Sequence, residues 1–118
     1  MIFHAVSVLN LNGFRLTDVS AQNLGYDLEG IDPNGDDIYI EVKSLEWQGQ
    51  KFRMTNNEFA VAQIKKNKYY LALVIQNKET IEIGLVRNPI DSLKLTRQCV
   101  QWVWVCDEYN YEPLKVDL

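Results

Sequence analysis

The stretch Tyr26-Asp27-Leu28-Glu29-Gly30-Ile31-Asp32-Pro33-Asn34-Gly35-Asp36-Asp37-Ile38-Tyr39-Ile40-Glu41-Val42-Lys43 decides the architecture. Pro33 presets φ for a type I turn, Asn34 follows, and Gly35 takes the left-handed position of a G1 bulge. The runs on either side therefore form an antiparallel hairpin closed by Asp32 and Asp36. With a three-residue loop, the numbers of facing residues sum to 68, so Gly30 faces Ile38 and Asp27 faces Glu41. Side chains alternate between the two faces of a strand. One face then carries Tyr26, Leu28, Ile38, Ile40 and Val42 and is expected to meet the core. The other carries Asp27, Glu29, Asp37, Tyr39, Glu41 and Lys43.

Working outward, Phe14 to Val19 reads as a strand with Phe14 and Leu16 on one face. Before it, Phe3 to Leu9 reads equally as a short helix stopping near Asn12-Gly13 or as a strand. After the hairpin, Ser44 to Met54 is a loop or extended arm. Thr55 and Glu58 then form the Thr-x-x-Glu capping box, which predicts a helix to about Asn67. Tyr69 to Gln76 is apolar on both faces and predicts a buried strand. Thr80 to Val86 is a further strand, and Pro89 allows one helical turn. Cys99 to Cys106 (Cys-Val-Gln-Trp-Val-Trp-Val-Cys) predicts another strand, with an irregular tail packed on the body behind it. The fold class is α+β, with a mixed central sheet, an antiparallel three-strand meander, one main helix and additional C-terminal strands.

The chain has 118 residues, 47% apolar and 24% charged, with net charge −4. These are ordinary globular values, and the length suits a single domain over 1–118. No apolar run approaches the ~18–20 residues of a membrane span. The start has no basic n-region, and the two cysteines match no disulfide framework or zinc knuckle. Both are expected as buried thiols of a cytoplasmic protein. His4, among Phe3, Val6 and Val8, reads as structural.

Asp27 and Glu41 carry the chemistry. Their β-carbons are expected about 4.5–5.5 Å apart, and like charges directly opposite destabilise a sheet. Two carboxylates make sense there if a cation lies between them. Mg²⁺ is hard, octahedral and commonly held by one or two carboxylates plus waters and phosphate oxygens. The Val42 carbonyl is a candidate further ligand. Lys43, on the same face as Glu41, is placed to hold a water, a hydroxide or a phosphate oxygen. The plain alternative is a solvated hairpin face, where Glu-x-Lys is common, and a one-residue register slip would remove the pairing.

Gly25-Tyr26-Asp27-Leu28, followed after a Gly-containing turn by Tyr39-Ile40-Glu41-Val42-Lys43-Ser44, resembles the C-terminal domain of protein NO VEIN. That domain is similar to a branch of the PD-(D/E)XK restriction-endonuclease-like superfamily. The resemblance runs through Thr55-Asn56-Asn57-Glu58 and Tyr69 to Val74, covering about residues 14–76, with 77–118 as additional strands and tail. It implies a restriction-endonuclease-like core of helix, three antiparallel strands, helix and fourth strand. It implies Asp27 and Glu41 as metal ligands, Lys43 as the catalytic lysine, Mg²⁺ or Mn²⁺ as cofactor, and hydrolysis of DNA phosphodiester bonds in a restriction or defence setting. A homodimer, or an attached ATPase or recognition domain, is the expected partner alongside DNA. Two features depart from the superfamily. Many active members carry an acidic residue in the first helix, and none precedes Asp18 here. A Gln-x-x-x-Tyr element is not matched, since Gln63 and Tyr69 are six apart. The alternative is therefore a nuclease-like domain without activity that binds nucleic acid or protein. A third reading makes the Cys99–Cys106 segment an oligomer interface.

Charge is unevenly spread. Residues 27–46 hold seven acids and one lysine, while residues 51–68 hold Lys51, Arg53, Lys65, Lys66 and Lys68 against Glu58 alone. A basic flank beside an acidic metal site suits a nuclease that grips phosphates and cuts at the metal. The plainer account of Lys65, Lys66 and Lys68 is a solvated helix end favourable to the dipole. Trp47 is expected to cover a sheet edge rather than stack on a base. Glu58 and Asn57 are expected to cap the helix.

Overall fold

A computed structural model describes residues 2–99, 101 and 103–116. The chain runs α1 (Ile2–Leu11), β1 (Arg15–Asp18), β2 (Leu28–Ile31), β3 (Asp37–Leu45), α2 (Asn56–Lys65), β4 (Tyr69–Gln76), β5 (Ile81–Arg87) and α3 (Pro89–Ser92), with short 3₁₀ turns at 20–22 and 66–68. The five strands lie in sequence order in one mixed sheet. β1, β2 and β3 form the antiparallel meander, β4 is parallel to β3, and β5 returns antiparallel to β4. This is the expected core of helix, three strands, helix and fourth strand, with β5 added.

The hairpin register is the one the turn dictates, with Leu28 opposite Ile40, Gly30 opposite Ile38 and Ile31 opposite Asp37. Asp32 closes the turn, its N–H donating to Asp36 O at 2.9 Å while its O accepts from Gly35 N at 3.0 Å. Gly35 sits at φ +84°, as a G1 bulge requires. The Asp32 carboxylate also accepts from the N–H groups of Asn34 and Asp36.

The sheet has two covered faces. On one, α1 presents Ile2, Ala5, Val6 and Leu9 at helical spacing to Leu28, Ile38, Ile40, Ala72 and Val74. That settles the open choice for residues 3–9 as helix: β1 is a four-residue edge strand, and α1 supplies the apolar cover for this face. On the other face, α2 and α3 cover Tyr69 and Leu71 with Ala62, Val61, Ile90 and Leu93. α2 starts as the sequence predicts. Thr55 Oγ1 accepts from Glu58 N at 3.1 Å, and Glu58 Oε1 accepts from Thr55 N at 3.0 Å. The parallel β3–β4 step needs a crossover, and α2 is that crossover.

Four expectations are corrected. Tyr26 lies not on the α1 face but on the α2 face, 4.9 Å from Tyr39 between ring centroids, because strand alternation stops before β2 begins at Leu28. The described residues of 99–106 form no strand; positions 100 and 102 of that segment lie outside the described residues. Cys99 and Cys106 are exposed rather than buried. The tail does not pack on the body, with Val103, Val105 and Leu114 71–94% exposed and the molecule 64 Å long by 35 by 31 Å. Strand-forming side chains are not enough for a strand: the described residues of this segment pair with neither edge of the sheet, β1 or β5. Among the described residues no helix is long and apolar enough to cross a membrane.

Candidate metal and phosphate site

β3 is nine residues long and β2 four, so the two strands pair only as far as Leu28 opposite Ile40. Beyond that point β3 keeps β4 on one side and loses its partner on the other. Asp27 stands at this divergence. Its N–H still donates to Ile40 O at 2.9 Å, and its Oδ2 accepts from Val42 N at 2.9 Å. The Asp27 carboxylate thus takes the place of the missing strand. In an extended strand the N–H and C=O of one residue leave on the same side. The Val42 carbonyl therefore points toward the same open edge as the N–H that Asp27 binds.

The loop before Asp27 is held tightly. Gly25 has φ +88°, and a Cβ there would stand 2.7 Å from Val61 Cγ2 and 3.2 Å from Asn57 O. Only glycine combines that backbone with so close an approach to α2. Tyr69, at the start of β4 and fully buried, donates its hydroxyl to Gly25 O at 2.7 Å. Its ionisation is pushed well above the ordinary range, by burial first and then by the nearby Glu41, Glu58 and Asp27 charges.

Glu41 points from β3 toward α2 and is 6% exposed. Burial, then a hydrogen bond with the Asp27 carboxyl and the charges of Asp27 and Glu58, push its pKa up from 4.5 to about 9, with Lys43 pulling the other way. A buried carboxyl facing another carboxyl needs a proton or a cation between them. Lys43, two residues on and facing the same side, donates Nζ to Glu58 Oε1 at 2.7 Å. Their side chains are 17% and 15% exposed, and among the described residues this is the one ion pair within 4 Å. Asp27, Glu41 and Glu58 line an open cleft of about 110 Å³ together with Ser20, Asn23, Tyr26 and Asn57, and Lys43 meets it through its bond to Glu58.

The donors fit a hard divalent ion. Asp27 and Glu41 offer carboxylate oxygens, and Val42 offers a carbonyl on the same edge. Among the described residues no group of three or more His, Cys, Asp or Glu side chains is arranged to hold a metal. Two carboxylates with water completing the shell is the ordinary habit of Mg²⁺. α1 carries no acidic residue and lies on the opposite face of the sheet. Glu58 of α2 also lines the cleft, with its Oε1 taken by Lys43 Nζ and Thr55 N.

The basic residues divide. Lys51 and Arg53 are exposed on the arm leading into the N-terminus of α2, at the cleft end. Lys65, Lys66 and Lys68 lie at the other end of α2, about 14 Å away by the helical rise per residue. Lys65 Nζ sits 4.2 Å from the centre of the Tyr39 ring. Lys68 borders a second, larger hollow of about 320 Å³ with Asp32, Asp36, Asp37 and Arg87. Trp47 is 57% exposed at the turn after β3.

Sequence reasoning identifies Asp27, Glu41 and Lys43 as neighbours. It identifies Glu58 only as a cap. The Thr-x-x-Glu signal is local and says nothing of the strand that Glu58 also meets. The apolar run places Tyr69 in a buried strand, without its bond to Gly25. A family model described as protein NO VEIN, C-terminal, matches residues 4–86. Neither a curated protein nor a solved structure matches the chain.

Proposed function

The chain belongs to the family of the C-terminal domain of protein NO VEIN, and on that footing we propose that it is a metal-dependent DNA endonuclease-like domain of the PD-(D/E)XK kind. The observation that carries this reading is the buried Glu41 carboxyl set against Asp27 where β2 leaves β3, with Lys43 bound to Glu58 of the cleft wall. A purely structural sheet would rarely bury a carboxyl against a second one.

Asp27 and Glu41, with the Val42 carbonyl, would hold Mg²⁺ or Mn²⁺. Bound there, the ion supplies charge neutralisation for the phosphate and a lowered pKa for the attacking water. The chain's own groups do the rest. Lys43 has three N–H donors and gives one to Glu58, leaving two for a water or a phosphate oxygen. Val42 N–H fixes Asp27 Oδ2, which holds the carboxyl at the cleft with Oδ1 as the oxygen for the ion. Lys51 and Arg53, at the cleft end of α2, take backbone phosphates. Lys65, Lys66 and Lys68 extend the basic flank to about 14 Å away, several nucleotides along a strand. DNA is the proposed substrate, in the cytoplasm and in a restriction or defence setting. A second copy or an attached ATPase or recognition domain would supply specificity.

The test is cleavage of plasmid DNA by the purified protein in Mg²⁺ or Mn²⁺, with Lys43→Ala as control. Cleavage lost in Lys43→Ala at an unchanged melting temperature supports the reading. No cleavage of any nucleic acid, with no divalent-ion binding by calorimetry, refutes it. A second reading, an inactive nuclease-like module that binds nucleic acid or protein, is favoured by one observation: α1 is present and carries no acid. DNA binding without cleavage in either ion would select it.

A further inference from the structure

We propose that Glu58 is a positioning residue for Lys43, tying that lysine to the start of α2 at the cleft wall. This rests on the reading of the cleft as a hydrolytic site.

A capping glutamate normally has one task, to accept from the N-cap N–H. Glu58 Oε1 accepts from Thr55 N at 3.0 Å and from Lys43 Nζ at 2.7 Å at once. One oxygen therefore joins the backbone of the helix N-terminus to a side chain fifteen residues earlier in sequence. The helix around it is fixed on two sides. Thr55 Oγ1 holds Glu58 N, and Gly25 packs against Asn57 O and Val61. Glu58 cannot shift without opening its own cap. A lysine on a four-carbon stem has many rotamers, and a charged partner in a fixed place removes most of them. Glu58 is also the group that keeps Lys43 from collapsing onto Glu41. The two lie two residues apart on one face of β3, and Lys43 without a partner would neutralise Glu41 directly.

The same geometry argues against Glu58 as a replacement for the missing first-helix acid. Its Oε1 is already committed to two donors, and with Asp27 and Glu41 it makes no three-carboxylate metal group among the described residues. Glu58 acts through Lys43.

The two roles of Glu58 separate by substitution. Gln at the third helical position also completes a capping box, so Glu58→Gln keeps the cap and removes the charge that holds Lys43. Glu58→Ala removes both. The probes are DNA cleavage, Mg²⁺ binding by calorimetry, thermal melting and the solvent exchange of the Lys43 ammonium by NMR. Glu58→Gln is expected to melt close to wild type and to bind Mg²⁺ within about threefold of it. Its cleavage kcat should fall by about 10²-fold, the cost of a misplaced group, and ammonium exchange should quicken about tenfold. Glu58→Ala should show the same kinetic loss and a lower melting temperature as well. A wild-type kcat in Glu58→Gln overturns the proposal, and so does unchanged ammonium exchange. A wild-type protein that cleaves nothing refutes the proposed activity, while the exchange measurement still decides whether Glu58 holds Lys43.

Discussion

Replacing Glu41 by Gln in the metal-free protein should change how stability depends on pH. In the unfolded chain Glu41 loses its proton near 4.5, whereas in the folded protein burial and the facing Asp27 carboxyl hold that proton up to about 9. Between those values the folded state carries a proton that the unfolded state has released. Stability from this group is therefore complete below about 4.5 and falls as pH rises toward 9. One proton changes the unfolding constant about tenfold per pH unit. From pH 6 to pH 8 the folded state thus loses roughly 3 kcal/mol through Glu41. The amide introduced by Glu41→Gln is neutral throughout and reproduces the hydrogen bond of the protonated acid, so the variant lacks this slope. Urea unfolding followed by circular dichroism in EDTA at pH 6, 7 and 8 measures it. Wild type should lose stability across that range relative to Glu41→Gln, which becomes the more stable protein at pH 8. Parallel profiles for the two proteins would refute the reasoning. They would mean that Glu41 is ionised in the fold and neutralised by Lys43, and the need for a cation between Asp27 and Glu41 would go with it.

Three further outcomes are expected. Gly30→Ala should cost about 3 kcal/mol or more in urea unfolding, because its Cβ would stand 1.9 Å from Arg15 O, a backbone atom of β1 that moves only with the strand; a loss under ~1 kcal/mol would mean that β1 is not paired in solution. Thr55→Ala should cost about 1 kcal/mol by freeing Glu58 N, while leaving the ammonium exchange of Lys43 slow. Deleting residues 101–118 should move the thermal midpoint little, since the described residues of that segment are exposed; a large drop would show that the tail packs on the sheet.

The hairpin is legible because its register follows from local turn chemistry. Pro33 and Gly35 set the loop, the loop sets the pairing, and the pairing sets which side chains share a face. α2 is legible for the same kind of reason, through Thr55 and Glu58. What escapes is everything that depends on a partner distant in sequence. Counting alternation back through Asp27 puts Tyr26 on the wrong face, because alternation holds only while the strand lasts, and β2 starts at Leu28. The sequence places Asp27 and Glu41 on one face but leaves a solvated face open as the alternative; α2 covers that face, and Glu41 is buried as a result. Residues 99–106 have strand-forming side chains, yet the described ones pair with neither edge strand, β1 or β5, because composition alone does not choose a partner.

The net charge of −4 takes a specific meaning from the cleft. Seven acids between residues 27 and 46 do not make one uniform surface. Asp32 spends its carboxylate on the turn N–H groups of Asn34 and Asp36, and Asp36 and Asp37 stay exposed at the hairpin tip. Glu29 accepts from Tyr26 Oη at 3.2 Å. Only Asp27 and Glu41 stand together where the sheet loses a strand. Their positions follow from the difference in length between β2 and β3: a β2 long enough to pair with residues 42–45 would bind the Val42 N–H and carbonyl and close the edge. The short strand leaves two backbone groups and two carboxylates facing one opening, and α2 closes it from above with Glu58. The start of β2 at Leu28, one residue after Asp27, is therefore what turns an ordinary hairpin into a candidate cation site. Extending β2 would remove the site while keeping every residue proposed to form it.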